Sequence, residues 1–145
     1  MKLVIYMGKT RSELREIACN VLYQIYILQN AKLDYDIDSL IKEQNEIQNE
    51  FINELVTGVI NNQKDISSLA NKYLVDWEID RLSKVDKAIL SVGIYELKYT
   101  KTPSIVAINE AIELANKYSD PKVSKMINAC LDKIYHEEIE NHEEW

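Results

Sequence analysis

The sequence predicts an all-α protein, a compact bundle of six to seven helices. Three observations lead there. Glycine and proline are scarce, with three and two in 145 residues, whereas strand-rich domains need many tight turns. Apolar residues recur at steps of three and four along most of the chain, the spacing of one helix face. Capping residues stand where the periodic stretches begin. The length suits one domain with one core. With 46% hydrophobic and 28% charged residues, the composition is that of a folded chain rather than a disordered one.

Thr10-Arg11-Ser12-Glu13 has the T-x-x-E form of a capping box, so the first helix is expected to start there. Leu14, Ile17, Ala18, Val21, Leu22, Ile25 and Leu28 carry its apolar stripe to about residue 29. Residues 30–38 read as a connection, rich in Asp34, Asp36 and Asp38. A second helix is expected from 40 or 46 to 61, with Ile47, Phe51, Ile52, Leu55, Val56 and Val59 buried. A short helix follows over 65–73, facing inward through Ile66, Leu69, Ala70 and Tyr73. Trp77 and Ile79 fall at a further short turn. Ser83 caps the next helix, and Asp86 lies in its first turn, where a negative charge suits the helix dipole. This helix is apolar on much of its circumference from Val85 to Tyr99, so it is expected to be central. Pro103 ends that segment. A helix over 104–118 turns Ile105, Ile108, Ala111, Ile112 and Ala115 inward. Pro121, at home in a first helical turn, opens the last helix, with Val123, Met126, Ile127, Cys130, Leu131 and Ile134 on its face. Residues 1–9 read as an arm, since an extended strand over 2–6 would have no partner, residues 10–135 as the helical domain, and 136–145 as a solvated acidic tail.

The net charge of −7 opposes a broad nucleic-acid surface, because phosphate contacts need Lys and Arg. The charge is unevenly spread. Residues 1–33 carry +3, residues 34–55 carry −6, and the segment from 134 carries −5. A basic start on an acidic body allows a local anion site. Cys19 and Cys130 are too far apart in sequence for a CxxC metal pair or a disulfide framework. They read as reduced core thiols of a cytoplasmic protein. No stretch has the form of a signal peptide or a membrane span.

Catalytic chemistry finds little support. The isolated glycines cannot build a phosphate loop. His136 and His142 lie in the acidic tail, where Glu137, Glu138 and His142 form at most a weak chelate. The folded part holds no histidine near a Ser or Cys to activate it. Glu96, Glu110 and Glu113 are candidates for a buried pair, or for acids that hold a partner's base. The expectation is a non-enzyme with no cofactor and no metal. Two positive signals remain. Lys9, Arg11 and Arg15 make a cationic helix end with Tyr23 and Tyr26 further along, a combination that can hold single-stranded RNA by phosphate contacts and stacking. A merely solvated helix end accounts for the same residues. Nine tyrosines against one phenylalanine suit an interface, since a tyrosine buries its ring and keeps a wet hydroxyl. Tyrosines at the periphery of a core fit that count equally.

Four segments in the second half, Val85-Asp86-Lys87-Ala88-Ile89-Leu90, Tyr95-Glu96-Leu97, the run from Val106 to Ala115 containing INEAIELA, and Ile127-Asn128-Ala129-Cys130-Leu131-Asp132-Lys133, resemble the NusB family in order and spacing. Arg15-Glu16-Ile17-Ala18 followed by Leu22-Tyr23 resembles that family's opening helix. The resemblance spans residues 10–135. It implies an all-helical fold of two small three-helix subdomains. It also implies an adaptor that binds the boxA segment of nascent RNA together with NusE, a ribosomal protein, within the RNA polymerase antitermination complex on ribosomal RNA operons. The same fold heads some ribosomal RNA cytosine methyltransferases, of which the free-standing factor is the better match here. Some family members dimerise, so a homodimer is a further expectation.

Position by position, the family's arginine-rich start falls on Arg11, Ser12, Glu13 and Arg15, of which Arg11 and Arg15 keep the charge. Lys9, Arg11, Ser12, Arg15 and Tyr23 are therefore the expected RNA contacts. Tyr23 and Asp86 match positions that face RNA or NusE. Met126 replaces an aromatic residue that packs near NusE, and Asn128 is kept, so Tyr23, Asp86, Met126 and Asn128 are the expected partner contacts. Ser91 stands in place of an arginine of the central helix. Asn109 and Glu110 are retained, for binding or for the fold. A protein-only interaction module of the same fold, with RNA binding weak or lost, is the alternative.

Overall fold

The computed structural model describes residues 8–140. It contains α1 (Arg11–Asn30), α2 (Ile37–Gln44), α3 (Glu50–Asn61), α4 (Gln63–Tyr73), α5 (Lys84–Tyr99), α6 (Ser104–Tyr118) and α7 (Pro121–Ile134). A 3-10 turn at Ile79–Arg81 precedes α5, and a π-helical turn at Tyr135–Ile139 extends α7. There is no strand among the described residues. Residues 1–7 and 141–145, which include most of the expected arm and His142, lie outside the described residues.

Two sets of three helices pack mutually, α1 with α2 and α3, and α5 with α6 and α7. α4 bridges them through α3, α5 and α7. One buried cluster runs through both sets, from Leu14 to Ile134. α5 lies at the junction, against α1, α3, α4, α6 and α7. That placement follows from its sequence: every residue from 88 to 97 is buried, so no face is left for solvent. Close approach needs small residues. A Cβ on Gly58 of α3 would fall 2.2 Å from the Tyr95 ring of α5, so those helices meet at a position only glycine fits.

Helix starts follow the caps. Thr10, Asp36, Asn49, Ser83 and Asp120 each accept a hydrogen bond from a backbone amide of the first turn, which satisfies donors that have no partner within the helix. One of these caps corrects the sequence reading. The single second helix is in fact α2 and α3, separated at Asn45–Asn49, because Asn49 caps a new start through Ile52 N at 3.0 Å. Ile47 lies in that break and is 80% exposed rather than buried. Ile105 is likewise 70% exposed, in the first turn of α6. The acidic segment up to residue 140 is held to the fold. Ile139 packs against the core, and Glu138 accepts hydrogen bonds from Tyr73 Oη and Lys72 Nζ at 2.5 and 2.9 Å.

Candidate nucleic-acid interface

The basic end of α1 is built from its cap outward. Thr10 Oγ1 accepts from the Glu13 amide at 3.1 Å while the Thr10 amide donates to Glu13 Oε1 at 2.8 Å, completing the capping box read in the sequence. The Thr10 amide, joined by the Thr10 hydroxyl donating to the same Oε1 at 3.2 Å, lowers the pKa of the Glu13 carboxyl. Lys9, Arg11 and Ser12 are exposed on this first turn. The Arg11 guanidinium rests 4.2 Å from the centroid of the Phe51 ring of α3, a cation–π contact that limits its rotamers. Lys9 Nζ reaches Asn45 Oδ1 at 3.5 Å.

Arg15, one turn on, is a different residue altogether. It is 4% exposed. Its Nε and Nη2 donate to the two carboxylate oxygens of Glu96 on α5 at 2.7 and 2.8 Å. Its Nη1 reaches Glu110 Oε1 on α6 at 3.5 Å, and its guanidinium lies 5.2 Å from the Phe51 centroid. Glu96, 1% exposed, also accepts from Thr102 Oγ1 at 3.0 Å. Burial works against the Arg15 charge, but the hydrogen bonds and negative charge of Glu96, with the charge of Glu110, outweigh it and raise its pKa. Arg15, expected as a phosphate contact, is thus enclosed, with each of its three nitrogens turned to a carboxylate of this chain. Its position gave a signal, because Arg15 stands one turn before Ala18 and Cys19 and two turns before Leu22 on the buried stripe. Of the three acids considered for a buried pair, Glu96 is buried and Glu110 part-exposed, both facing Arg15, while Glu113 is exposed.

Ser12 Oγ donates to Glu110 Oε1 at 2.5 Å, so the exposed turn is tied to the same acid that faces Arg15. Further along, Glu16 accepts from Lys117 Nζ at 2.9 and 3.0 Å and from Tyr118 Oη. The Tyr118 hydrogen bond, followed by that of Lys117, lowers the Glu16 pKa. Between these contacts runs a groove of about 410 Å³, lined by Ser12, Glu16, Asn109, Glu110, Glu113 and Lys117. Ser12–Glu110, Arg11–Phe51 and Glu16–Lys117 were not anticipated, since each joins elements at least 40 residues apart, and no local pattern records such pairs.

The expected partner contacts are spread out. Tyr23 is 39% exposed. Asp86, expected to face a partner, is buried, and its carboxylate accepts from Ser119 Oγ. Its charge is used to join α5 to the end of α6. Met126 is half-buried against the core. Asn128 is exposed. These two are separated by about 200° around α7 and do not share a face. Asn128 lines a different groove, of about 460 Å³, with Ile105, Ile108, Asn109 and Asp132. Ser91, also flagged in the sequence, is buried within α5. Burial pushes both the Cys19 and the Cys130 thiol up to about 12, and both cysteines are unpaired. Among the described residues, no cluster of three or more His, Cys, Asp or Glu is arranged to hold a metal ion. Nor is any helix among them long and apolar enough to cross a membrane.

The chain was compared with known proteins. The model of the NusB family matches residues 12–136. The transcription antitermination protein NusB of Listeria monocytogenes serotype 4a is 41% identical over 125 residues, covering 86% of this chain and 94% of that protein. The protein of the same name from Ligilactobacillus salivarius is 37% identical over 130 residues, covering 88% and 99%. Among solved structures, NusB of T. maritima superposes with a TM-score of 0.77 at 29% identity, covering 90% of this chain and 93% of that one. A chain from a crystal structure of the antitermination factors NusB and NusE in complex with double-stranded RNA gives a TM-score of 0.73 at 28% identity, covering 87% and 96%. The seven-helix arrangement around α5 and a match that runs nearly from end to end agree, and the chain belongs to the NusB family.

Proposed function

We propose that this chain is a non-catalytic, cytoplasmic antitermination adaptor that binds boxA-type RNA together with NusE and so supports transcription of ribosomal RNA operons. The observation that carries the RNA half is the first turn of α1. There Lys9, Arg11 and Ser12 are exposed on a capped helix end, and Phe51 fixes the Arg11 guanidinium. The family membership and the NusB–NusE–RNA complex among the structural relatives support the same reading. Phosphates meet Arg11 and Lys9, while Tyr23 offers a half-exposed ring to bases or to NusE. Met126 adds a soft apolar contact for the protein partner. Each partner presents part of the RNA surface, so the composite binds more tightly and selectively than either alone.

A second reading, a protein-only module, draws on one observation: Arg15 is neutralised from within and the adjoining groove is lined by Glu16, Glu110 and Glu113. Titrating boxA-like RNA with and without NusE over a salt series separates the two. RNA binding that strengthens with NusE is expected, and Arg11→Ala is expected to weaken it and to flatten the salt slope by about 0.7 for one lost single-strand phosphate contact. Unchanged affinity and slope in Arg11→Ala would move the RNA site elsewhere. NusE binding without any RNA binding would favour the protein-only module.

A further inference from the structure

We propose that Arg15 and Glu110 are positioning residues for RNA, acting through Ser12 and the first turn of α1 without touching the nucleic acid. This inference rests on the RNA-binding reading above. The warrant is a continuous chain of contacts from the buried centre to the exposed turn. Thr102 and Arg15 fix Glu96 on α5. Arg15 reaches from Glu96 to Glu110 on α6. Glu110 accepts from Ser12 Oγ, whose neighbour Arg11 is laid on Phe51. Arg15 of α1 therefore joins an acid of α5 to an acid of α6, and the second, Glu110, lies at the edge of the expected phosphate path.

A carboxylate in that place poses a question of sign. Glu110 is part-exposed, with 24% of its side chain accessible. As a bare charge it repels a polyanion, and its removal would then tighten RNA binding. As the acceptor that anchors Ser12 and faces Arg15, its removal releases the first turn and weakens binding. The geometry favours the second role, because Oε1 is the common acceptor of both donors. Arg15 likewise differs from a phosphate ligand. A phosphate-binding arginine is replaced by lysine with its charge and salt slope retained. Lysine at 15 cannot span both oxygens of Glu96 and still reach Glu110, because it lacks the guanidinium fork.

The test uses the full chain with NusE and boxA-like RNA, comparing Glu110→Ala, Glu110→Gln and Arg15→Lys with the unmodified protein. Glu110→Ala is expected to lower RNA affinity about three- to tenfold, the range set by one or two lost hydrogen bonds, with the salt slope unchanged. Glu110→Gln keeps an acceptor for Ser12 and Arg15 and is expected to restore most of that loss. Arg15→Lys is expected to weaken binding by a similar factor, again at constant slope. Hydrogen exchange at the amides of residues 12–15 reads the anchor without RNA and is expected to quicken in Glu110→Ala but not in Glu110→Gln. Equal tightening in both Glu110 variants overturns the positioning role and leaves a repelling charge. Affinity and exchange both unchanged in Arg15→Lys overturn it in favour of direct phosphate contact, where a lysine keeps the charge. Absence of RNA binding by the unmodified protein with NusE present overturns the RNA reading, and the positioning role with it.

Discussion

α5 and the first turn of α1 are both regular helix, yet they are held in opposite ways. α5 is buried from residue 88 to 97, and its neighbours are mostly aliphatic: Ile52, Leu55, Ile66, Ala111, Ile127 and Leu131 all belong to the same core. The first turn of α1 has exposed residues at 11, 12 and 13 and is fixed by a capping box, a serine–carboxylate bond and a cation on a ring. The centre is specified by volume and the edge by directed polar bonds. The two regimes meet at one place, the Arg15–Glu96 pair. The difference teaches where an exposed edge gets its geometry. An exposed turn has too little apolar area to orient itself, so it borrows rigidity from the core through an ion pair.

Breaking that junction is the sharpest challenge. Arg15→Ala leaves Glu96 buried and unpaired, and the expected loss is about 3–5 kcal/mol in chemical denaturation. Replacing both partners, Arg15→Met with Glu96→Leu, is expected to cost much less, because no charge is then stranded. Should the single and double variants lose equally, the pair contributes only packing and the contrast between centre and edge collapses.

A change confined to the centre comes next. Ile94→Ala, at a fully buried site on α5, is expected to lose about 2–5 kcal/mol through lost transfer energy and a cavity. RNA affinity measured where the variant is folded is expected to stay as it was. A parallel drop in affinity would mean that core volume, too, sets the edge.

The smallest effect is expected at the edge itself. Thr10→Ala removes the cap acceptor and is expected to cost about 1 kcal/mol in thermal or chemical unfolding. Hydrogen exchange is expected to quicken at residues 11–14 and not in α5. Exchange that quickens along the whole of α1 would show that cap and core form one cooperative unit.

Much of the fold is legible from local chemistry. Thr10, Ser83 and Pro121 mark helix starts that the structure keeps, and the apolar circumference of α5 announces its central place. The break between α2 and α3 escaped notice because Ile47 continues the apolar rhythm of α3 while Asn49 interrupts it. A cap outweighs one apolar residue when nothing is available for that residue to pack on. Candidate site residues are legible as types rather than roles. Arg11 and Arg15 look alike in sequence, one turn apart in the same basic segment. Yet Arg11 is exposed on Phe51, and Arg15 is enclosed by Glu96 and Glu110.

By itself, then, the sequence determined the helical class, most of the helix starts, the central helix and the basic character of the amino-terminal end. Each of these depends on residues within one or two turns of each other. It also carried the family, through segments such as Val106–Ala115 whose order and spacing survive as a linear string. Only the tertiary structure decided which charges face outward. Asp86 is turned onto Ser119, and Glu110 is set between Ser12 and Arg15. Those outcomes follow from how α1, α5 and α6 cross, and the partners lie 33 to 98 residues apart. A charge in a linear pattern has a sign but no direction, and direction is what separates a phosphate ligand from the residue that holds it in place.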